Sequence, residues 1–316
     1  MAEKYITILG IFVKDLTFFS KSIPKAGQTV IGNNFNSGLG GKGTNQAIAA
    51  KRTGSKVTLI SKIGNDSFGK EALNLLEKEK INKDSIFISD TLPTGSAGIF
   101  VNSKGENSII VYPGASSSIS KKNIDKIKKT IENSNIFLTQ LELPIDLIKY
   151  CLQIAKIKKI ITILNPAPAN MEAIRILHLC DIITPNIIEA SELSNIKINN
   201  AEDIKKAGKV LLNYGVKEVI ITNGEKGIIH FFKDKISYIK AENYGVTIDT
   251  TGAGDAFNGA LASGINFGMN TLDACKYANA VAAMSVTKIG TTQAMPMQKE
   301  INLFWKRINE KKKYNY

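Results

Sequence analysis

The sequence predicts an α/β fold: a mainly parallel β-sheet flanked by helices, with a small second β-sheet standing off it as a lid. Three observations carry this prediction. Apolar, β-branched runs recur as "YITILGIF", "VTLISKI", "NIFLTQL", "KIITILN", "CDIITPN" and "KEVIITNG". Between most of them lie amphipathic stretches of helical length, among them "KEALNLLEKEK", "SKKNIDKIKKTIENS", "PIDLIKYCLQIAK" and "AEDIKKAGKVLLNYG". Near-continuous apolar strands alternating with helices are the pattern of a parallel sheet covered on both faces. Finally, two segments break the rhythm. "GQTVIGNNFNSG" (Gly27–Gly38) and "GSAGIFVNSKGENSIIVYPGAS" (Gly95–Ser116) read as short antiparallel strands, the second pair turning at Ser103-Lys104-Gly105.

In chain order, the first apolar run reads as a buried strand. Lys14 and Asp15 follow it directly, and no small-residue cleavage site marks a signal peptide. The lid is expected from about 11–15, 27–38 and 95–113, strands with no helix available to cover them. "GTNQAIAAKRTG" opens a helix after a glycine turn, and "YGVTIDTTGAGDAFNGALASG" opens a second, long one. The tail beyond about Lys311 is expected to fray. No repeat or linker divides the chain, so residues 1–316 read as a single domain.

Composition narrows the class. At 316 residues, 43% hydrophobic and 22% charged, the chain reads as an ordinary soluble enzyme. No apolar run is long enough for a membrane span. Cys151, Cys180 and Cys275 are widely separated, and with only His178 and His230 present no zinc-ligand spacing exists. A reducing cytoplasm is the natural setting. The formal charge of +13 comes almost wholly from scattered lysines, with arginine only at Arg52, Arg175 and Arg307. That pattern is a lysine-rich solvated surface, not a nucleic-acid or membrane interface.

The glycine loops carry the chemistry. Gly38, Gly40 and Gly43 spell G-x-G-x-x-G, the dinucleotide fingerprint. That fingerprint must follow a buried strand, whereas "NNFNS" is polar and turn-like, and only Asp66 stands near the position of the required acid. A phosphate loop of the G-x-x-x-x-G-K-[ST] kind fails because Lys42 precedes Gly43. What remains is a tight turn opening a helix with Lys42 and Asn45 at its mouth. It suits a neutral polyol at least as well as a phosphate, and fits an ordinary strand-to-helix turn too. In the second loop, Gly252-Ala253-Gly254 opens a helix with Asp255 in its first turn. Small residues at a helix N-terminus admit an anion, and an aspartate there is either a dipole-complementing residue or a base.

"GGKGTNQAIAAKRTG…VTLISKIGNDSFG" and "DTTGAGDAFNGAL" resemble the two signature regions of the PfkB carbohydrate kinase family. "QLELP" at 140–144, "LNPAPA" at 164–169, "TPNIIE" at 184–189 and "TNGEKG" at 222–227 match in family order, so the likeness spans nearly the whole chain. Within the family the ribokinases and deoxyribokinases are most similar. The resemblance implies a ribokinase-like fold and ATP-dependent phosphorylation of the 5-hydroxyl of D-ribose or 2-deoxy-D-ribose. It also implies Mg2+ and K+ as ions, and a homodimer joined through the lid. Another kinase of the family, acting on fructose, 2-keto-3-deoxygluconate or adenosine, is the alternative. A non-catalytic nucleotide- or sugar-sensing protein would have no need of the base.

Residue by residue, the resemblance makes Asp255 the catalytic base and Gly252, Ala253 and Gly254 the anion hole for the migrating phosphoryl group. The helix N-terminus is expected to lower the Asp255 pKa. Val13, Asp15, Gly41, Lys42, Gly43, Asn45, Glu142 and Asp255 fall at sugar-contacting positions. Asn186 and the loop Thr222, Asn223, Gly224, Glu225, Lys226 and Gly227 match the ATP site, with Gly254 and Asn279. Glu189 falls in the magnesium region, although Asn186 and Glu189 fit a helix cap with a first-turn acid equally well. Asp249, Thr251, Ser285, Lys288, Gly290 and Ala294 fall at the potassium loop. One position departs from the ribokinase pattern: where an asparagine usually stands two residues before the sugar-binding aspartate, this chain has Val13, as deoxyribokinases have an apolar residue.

Overall fold

The first apolar run folds as β1 (Tyr5–Leu9), buried from Ile6 onward. The computed structural model describes residues 5–313; residues 1–4 and 314–316 lie outside it. After β1 the chain crosses into a second sheet as β2 (Val13–Ser20) and β3 (Gly32–Gly40), an antiparallel pair. It returns through α1 (Lys42–Arg52) to β4 (Lys56–Gly64), which pairs with β1 in parallel. Then α2 (Ser67–Lys78), capped by Asp66 accepting from the Gly69 N–H, leads to β5 (Ile86–Ser89) beside β4. The chain visits the small sheet again as β6 (Thr94–Val101) and β7 (Asn107–Gly114).

From α3 (Lys121–Lys126) and α4 (Lys128–Glu132) onward, strands and helices alternate. They run β8 (Ile136–Thr139), α5 (Ile145–Ile157), β9 (Ile161–Leu164), α6 (Ile174–Leu177), β10 (Ile182–Ile183), α7 (Ile187–Ser194), α8 (Ala201–Asn213) and β11 (Glu218–Thr222). A hairpin of β12 (Ile228–Phe232) and β13 (Lys235–Ile239) closes that edge. Finally come α9 (Ala253–Asn266), α10 (Thr271–Ser285) and α11 (Gln298–Lys313). The frayed tail expected beyond Lys311 is helical through Lys313, and its remainder lies outside the described residues.

The main sheet has the order β13-β12-β11-β10-β9-β8-β1-β4-β5, parallel except that β12 runs antiparallel to both of its neighbours, β11 and β13. Strand alternation divides its apolar residues between two cores. Phe137, Leu164, Val219 and Ile221 face α3 to α8, whereas Ile136, Leu138, Ile163 and Ile220 face α1, α9, α10 and α11. Helices on both faces explain why the strands read as continuous hydrophobic runs.

Four details differ from the sequence reading. The helix read over "SKKNIDKIKKTIENS" breaks at Ile127, whose φ of −119° leaves the helical region, and the N–H of Thr130 bonds back three residues to it. The small sheet has the order β3-β2-β6-β7, so β2 runs on to Ser20 and Ile11 stays in the connection from β1. Gly27–Ile31 is no strand, because Gln28 closes a turn onto the Lys25 carbonyl and Gly27 has φ 77°. Last, Gly38 does lie on a strand, β3, though an exposed antiparallel one in the small sheet. The dinucleotide reading therefore fails because that strand is not a buried parallel one, not because a strand is missing. Among the described residues no helix is long and apolar enough to cross a membrane.

Candidate active site

In an open parallel sheet, ligands bind beyond the carboxyl ends of neighbouring strands whose connections diverge. Here β1 leads to β4 on one side while its neighbour β8 leads to β9 on the other. Beyond these two ends come Asp15 on β2, Glu142 after β8 and the start of α1. Along the same edge follow Asn165 after β9, Asn186 after β10 and Thr222 at the end of β11.

Asp255, in the first turn of α9, is the hub. Asn45 donates from Nδ2 to its Oδ2 at 2.9 Å, and Gln46 donates from Nε2 to its Oδ1 at 2.9 Å. The three residues meet because α1 and α9 pack closely: a Cβ at Gly259 of α9 would stand 2.5 Å from the Gln46 carbonyl oxygen. Gly252, in the left-handed region at φ 79°, ends the preceding loop and starts α9. The Ala253 N–H is taken by the Thr250 carbonyl at 3.2 Å, while the space beside Gly254 is open.

Charge converges on Lys42. Its backbone N–H donates to Glu142 Oε2 at 3.0 Å and its ammonium stands 4.0 Å from Glu142 Oε1. Burial works against its charge, but Asp255, Glu142, Glu189 and Asp15 together hold the ammonium pKa above its ordinary value. The acids feel the converse. Burial pushes Asp15 up to about 6 and Glu142 up to about 7, with Lys42 only partly offsetting it. Glu189 and Asp255 are raised as well, burial being the largest cause. The expectation that the helix N-terminus lowers the Asp255 pKa is thus corrected: the carboxyl is 8% exposed, and desolvation outweighs Lys42, Asn45 and Gln46.

Val13 and Asp15 share one face of β2. Lys14 points to the other, where it pairs with Glu71 at 2.6 Å. Val13 is 3% exposed and belongs to the cluster of Ala97 and Leu141. Gly40 lies beneath Asp15, since a Cβ there would meet Asp15 Oδ2. Gly41, at φ 91°, makes the turn into α1, and Gly43 packs on Gly10 at the end of β1.

The nucleotide candidates gather at the next strand ends. Asn186 caps α7 and pairs with Glu189 in a reciprocal box, the Asn186 N–H to Glu189 Oε2 at 2.9 Å and the Glu189 N–H to Asn186 Oδ1 at 2.8 Å. The helix-cap reading is therefore realised; it still leaves a buried acid facing Lys42 and Asp255. Asn186 also bridges to Thr222. The segment Asn223, Gly224, Glu225, Lys226 and Gly227 folds into a tight turn closed by the Asn223 N–H on the Gly227 carbonyl. Asn279 on α10 donates to the Lys240 carbonyl at 2.7 Å. At the candidate cation loop, Asp249 accepts from the N–H groups of Thr251 and Gly290, each at 2.9 Å, which keeps its pKa low. The Ser285 hydroxyl bonds within α10, the Ala294 N–H bonds to the Thr291 carbonyl, and the Lys288 ammonium is turned away onto Glu300.

Residue reasoning missed Gln46, which bonds Asp255, and Gln140 and Asn165, which bond Gln46; all three are buried. The signal was the run Thr44-Asn45-Gln46, three polar residues entering a helix that continues as small apolar ones.

A model of the pfkB family carbohydrate kinase matches residues 3–298. The chain is 37% identical over 298 residues to the ribokinase of Haemophilus influenzae, covering 94% of this chain and 97% of that one. It is 32% identical over 298 residues to the deoxyribokinase of Salmonella typhi, again covering 94% and 97%. The structure of Arabidopsis thaliana ribokinase complexed with ribose and ATP superposes with a TM-score of 0.88 at 26% identity, covering 96% of this chain and 98% of that one.

Proposed function

The chain belongs to the pfkB family of carbohydrate kinases, and on that footing we propose that it transfers the γ-phosphoryl group of ATP to the 5-hydroxyl of a pentose, D-ribose or 2-deoxy-D-ribose. The observation that carries this reading is the setting of Asp255. A buried aspartate at a helix N-terminus, held by two amide donors and facing Lys42, suits a base beside an anion cradle. As the sugar oxygen bonds to the γ-phosphorus, Asp255 receives its proton, the bond to the β–γ bridging oxygen breaks, and ADP leaves. The turn of Gly252, Ala253 and Gly254 at the start of α9 would cradle the transferring group, the space beside Gly254 being open. Asp15, Lys42, Asn45 and Glu142 orient the sugar, and several convergent polar groups are what holding one hydroxyl in line requires. The buried Oδ1 of Asn45 has no partner among the described residues and is free to accept from a sugar hydroxyl.

Asn186 and Glu189 fit the Mg2+ that accompanies ATP: a buried carboxylate among like charges is relieved by a hard cation. When bound, the ion neutralises phosphate charge. The loop of Asp249, Thr251, Ser285, Lys288, Gly290 and Ala294 suits K+ through its backbone carbonyls, because both Asp249 oxygens already tie the loop together. The small sheet supports a homodimer. Phe18, Phe35, Ile109, Ile110, Val111 and Tyr112 are exposed on it, and β3 and β7 are open edges.

Val13 favours 2-deoxyribose as a good substrate. An apolar residue beside Asp15 offers a 2-hydroxyl no partner. ATP consumption measured with ribose, 2-deoxyribose, fructose, 2-keto-3-deoxygluconate and adenosine tests the assignment. Turnover with one or both pentoses well above the other acceptors is expected; preference for any other acceptor would refute it.

A further inference from the structure

Behind Asp255 lies a chain of buried amides. Gln46 Nε2 donates both to Asp255 Oδ1 at 2.9 Å and to Asn165 Oδ1 at 3.1 Å. Gln140 Nε2 donates to Gln46 Oε1 at 2.6 Å. Gln46 is 0% exposed, Gln140 1% and Asn165 7%. Taken alone, a pair of amides can be oriented either way. Here the carboxylate decides. Ionised Asp255 offers no hydrogen, so Gln46 must turn its NH2 toward it and its Oε1 toward Gln140. Gln140 must then supply its own NH2, which strands Gln140 Oε1 without a partner, against Gly10. Folding tolerates a buried acceptor left unpaired only where the rest of the arrangement requires it.

We propose that Gln46, locked in its donor orientation by Gln140, is a positioning residue that sets the rotation of the Asp255 carboxylate and keeps it in the proton-accepting form. The inference rests on the reading of Asp255 as the base. With Asn45 on Oδ2 and Gln46 on Oδ1, each oxygen has one fixed donor, and the carboxylate plane cannot turn away from the sugar. The charged groups facing Asp255 are Lys42 on α1, Glu142 after β8 and Glu189 on α7, with Asp15 of β2 acting on the same Lys42. Burial favours the protonated acid, and the Asp255 carboxylate in turn raises Glu142 and Glu189. Lys42, Asn45 and Gln46 oppose the effect of burial on Asp255, and all three come from the first turns of α1.

The sign follows. Without the Gln46 donor, Asp255 holds a proton to higher pH, so the acid limb of the kcat profile moves up. The experiment records kcat against pH at saturating pentose and Mg-ATP for the native enzyme, Gln46→Met, Gln140→Met, the double variant and Asp255→Asn. Methionine keeps the length of glutamine and removes the donor. Gln46→Met should move the acid limb up by about one pH unit and lower plateau kcat about tenfold or more, with the sugar KM little changed. Gln140→Met should shift the limb the same way by less, and add nothing to Gln46→Met in the double variant. A Gln46→Met limb superimposed on the native one, with Asp255→Asn inactive, overturns this inference and leaves the base intact. Near-native turnover by Asp255→Asn overturns both. Should Gln46→Met fail to fold, Gln140→Met decides: a raised limb supports the inference and an unmoved one overturns it.

Discussion

Gly10 and Gly43 touch backbone to backbone: a Cβ built on either would stand 2.5 Å from the Cα of the other. This contact seats the start of α1 on the end of β1, and so sets where Lys42 and Asn45 stand relative to Asp255. Gly43→Ala has no flexible neighbour to displace. It should cost about 1–3 kcal/mol of stability and push α1 outward, raising the sugar KM and lowering kcat together. Urea unfolding and steady-state kinetics check this; unchanged kinetics would mean the contact does not position the site.

Asn45 distinguishes a sugar loop from a phosphate loop. Asn45→Ala should raise the KM for pentose far more than the KM for ATP. A larger effect on ATP would reassign the loop to phosphate, and equal small effects would reduce it to a strand-to-helix turn.

Glu142 links folding to pH. Its pKa is raised from 4.5 to about 7 by burial, so the folded protein holds its proton more tightly than the unfolded chain. The stabilisation is full below the unfolded value and is lost as pH rises through about 7, and Asp15, raised to about 6, acts in the same direction. The ligand-free native protein should therefore lose more stability between about pH 5 and about pH 8 than Glu142→Gln does. Denaturant midpoints at the two pH values measure the difference, and equal losses would contradict it.

Val13 bears on the choice between pentoses. A site lacking a partner for the 2-hydroxyl rejects ribose only weakly, by about 10²-fold at most. The native enzyme should use 2-deoxyribose well and retain some ribose activity. Val13→Asn should move the ratio of kcat/KM toward ribose by about 1–3 kcal/mol. A native preference for ribose of about a thousandfold, or a ratio that does not move, would remove Val13 from the specificity site.

Much of this architecture is legible in the sequence, for physical reasons. Strands such as "YITIL" and "EVIIT" are buried on both faces and so carry continuous apolar runs. Gly252 and Asp255 stand out in the sequence because small residues at a helix start let backbone N–H groups approach an anion, and an acid there is either a dipole-complementing residue or a base. The hairpin of β12 and β13 was not read, since "IIHFF" and "KISYI" have no helix between them to mark the strands. Gln46 and Gln140 were missed because a buried amide and an exposed one are the same letter until the fold sets their surroundings. The direction of the Asp255 shift failed likewise: the helix N-terminus can be read from sequence, but desolvation depends on residues distant in the chain.

The most direct test of the account is Asp255→Asn, which keeps the shape of the side chain and removes the proton acceptor. Isothermal titration with pentose and with ATP, alongside turnover with 2-deoxyribose and ribose, separates binding from chemistry. Both ligands should bind with little change while turnover falls about 10²-fold or more. Turnover close to the native rate would contradict it.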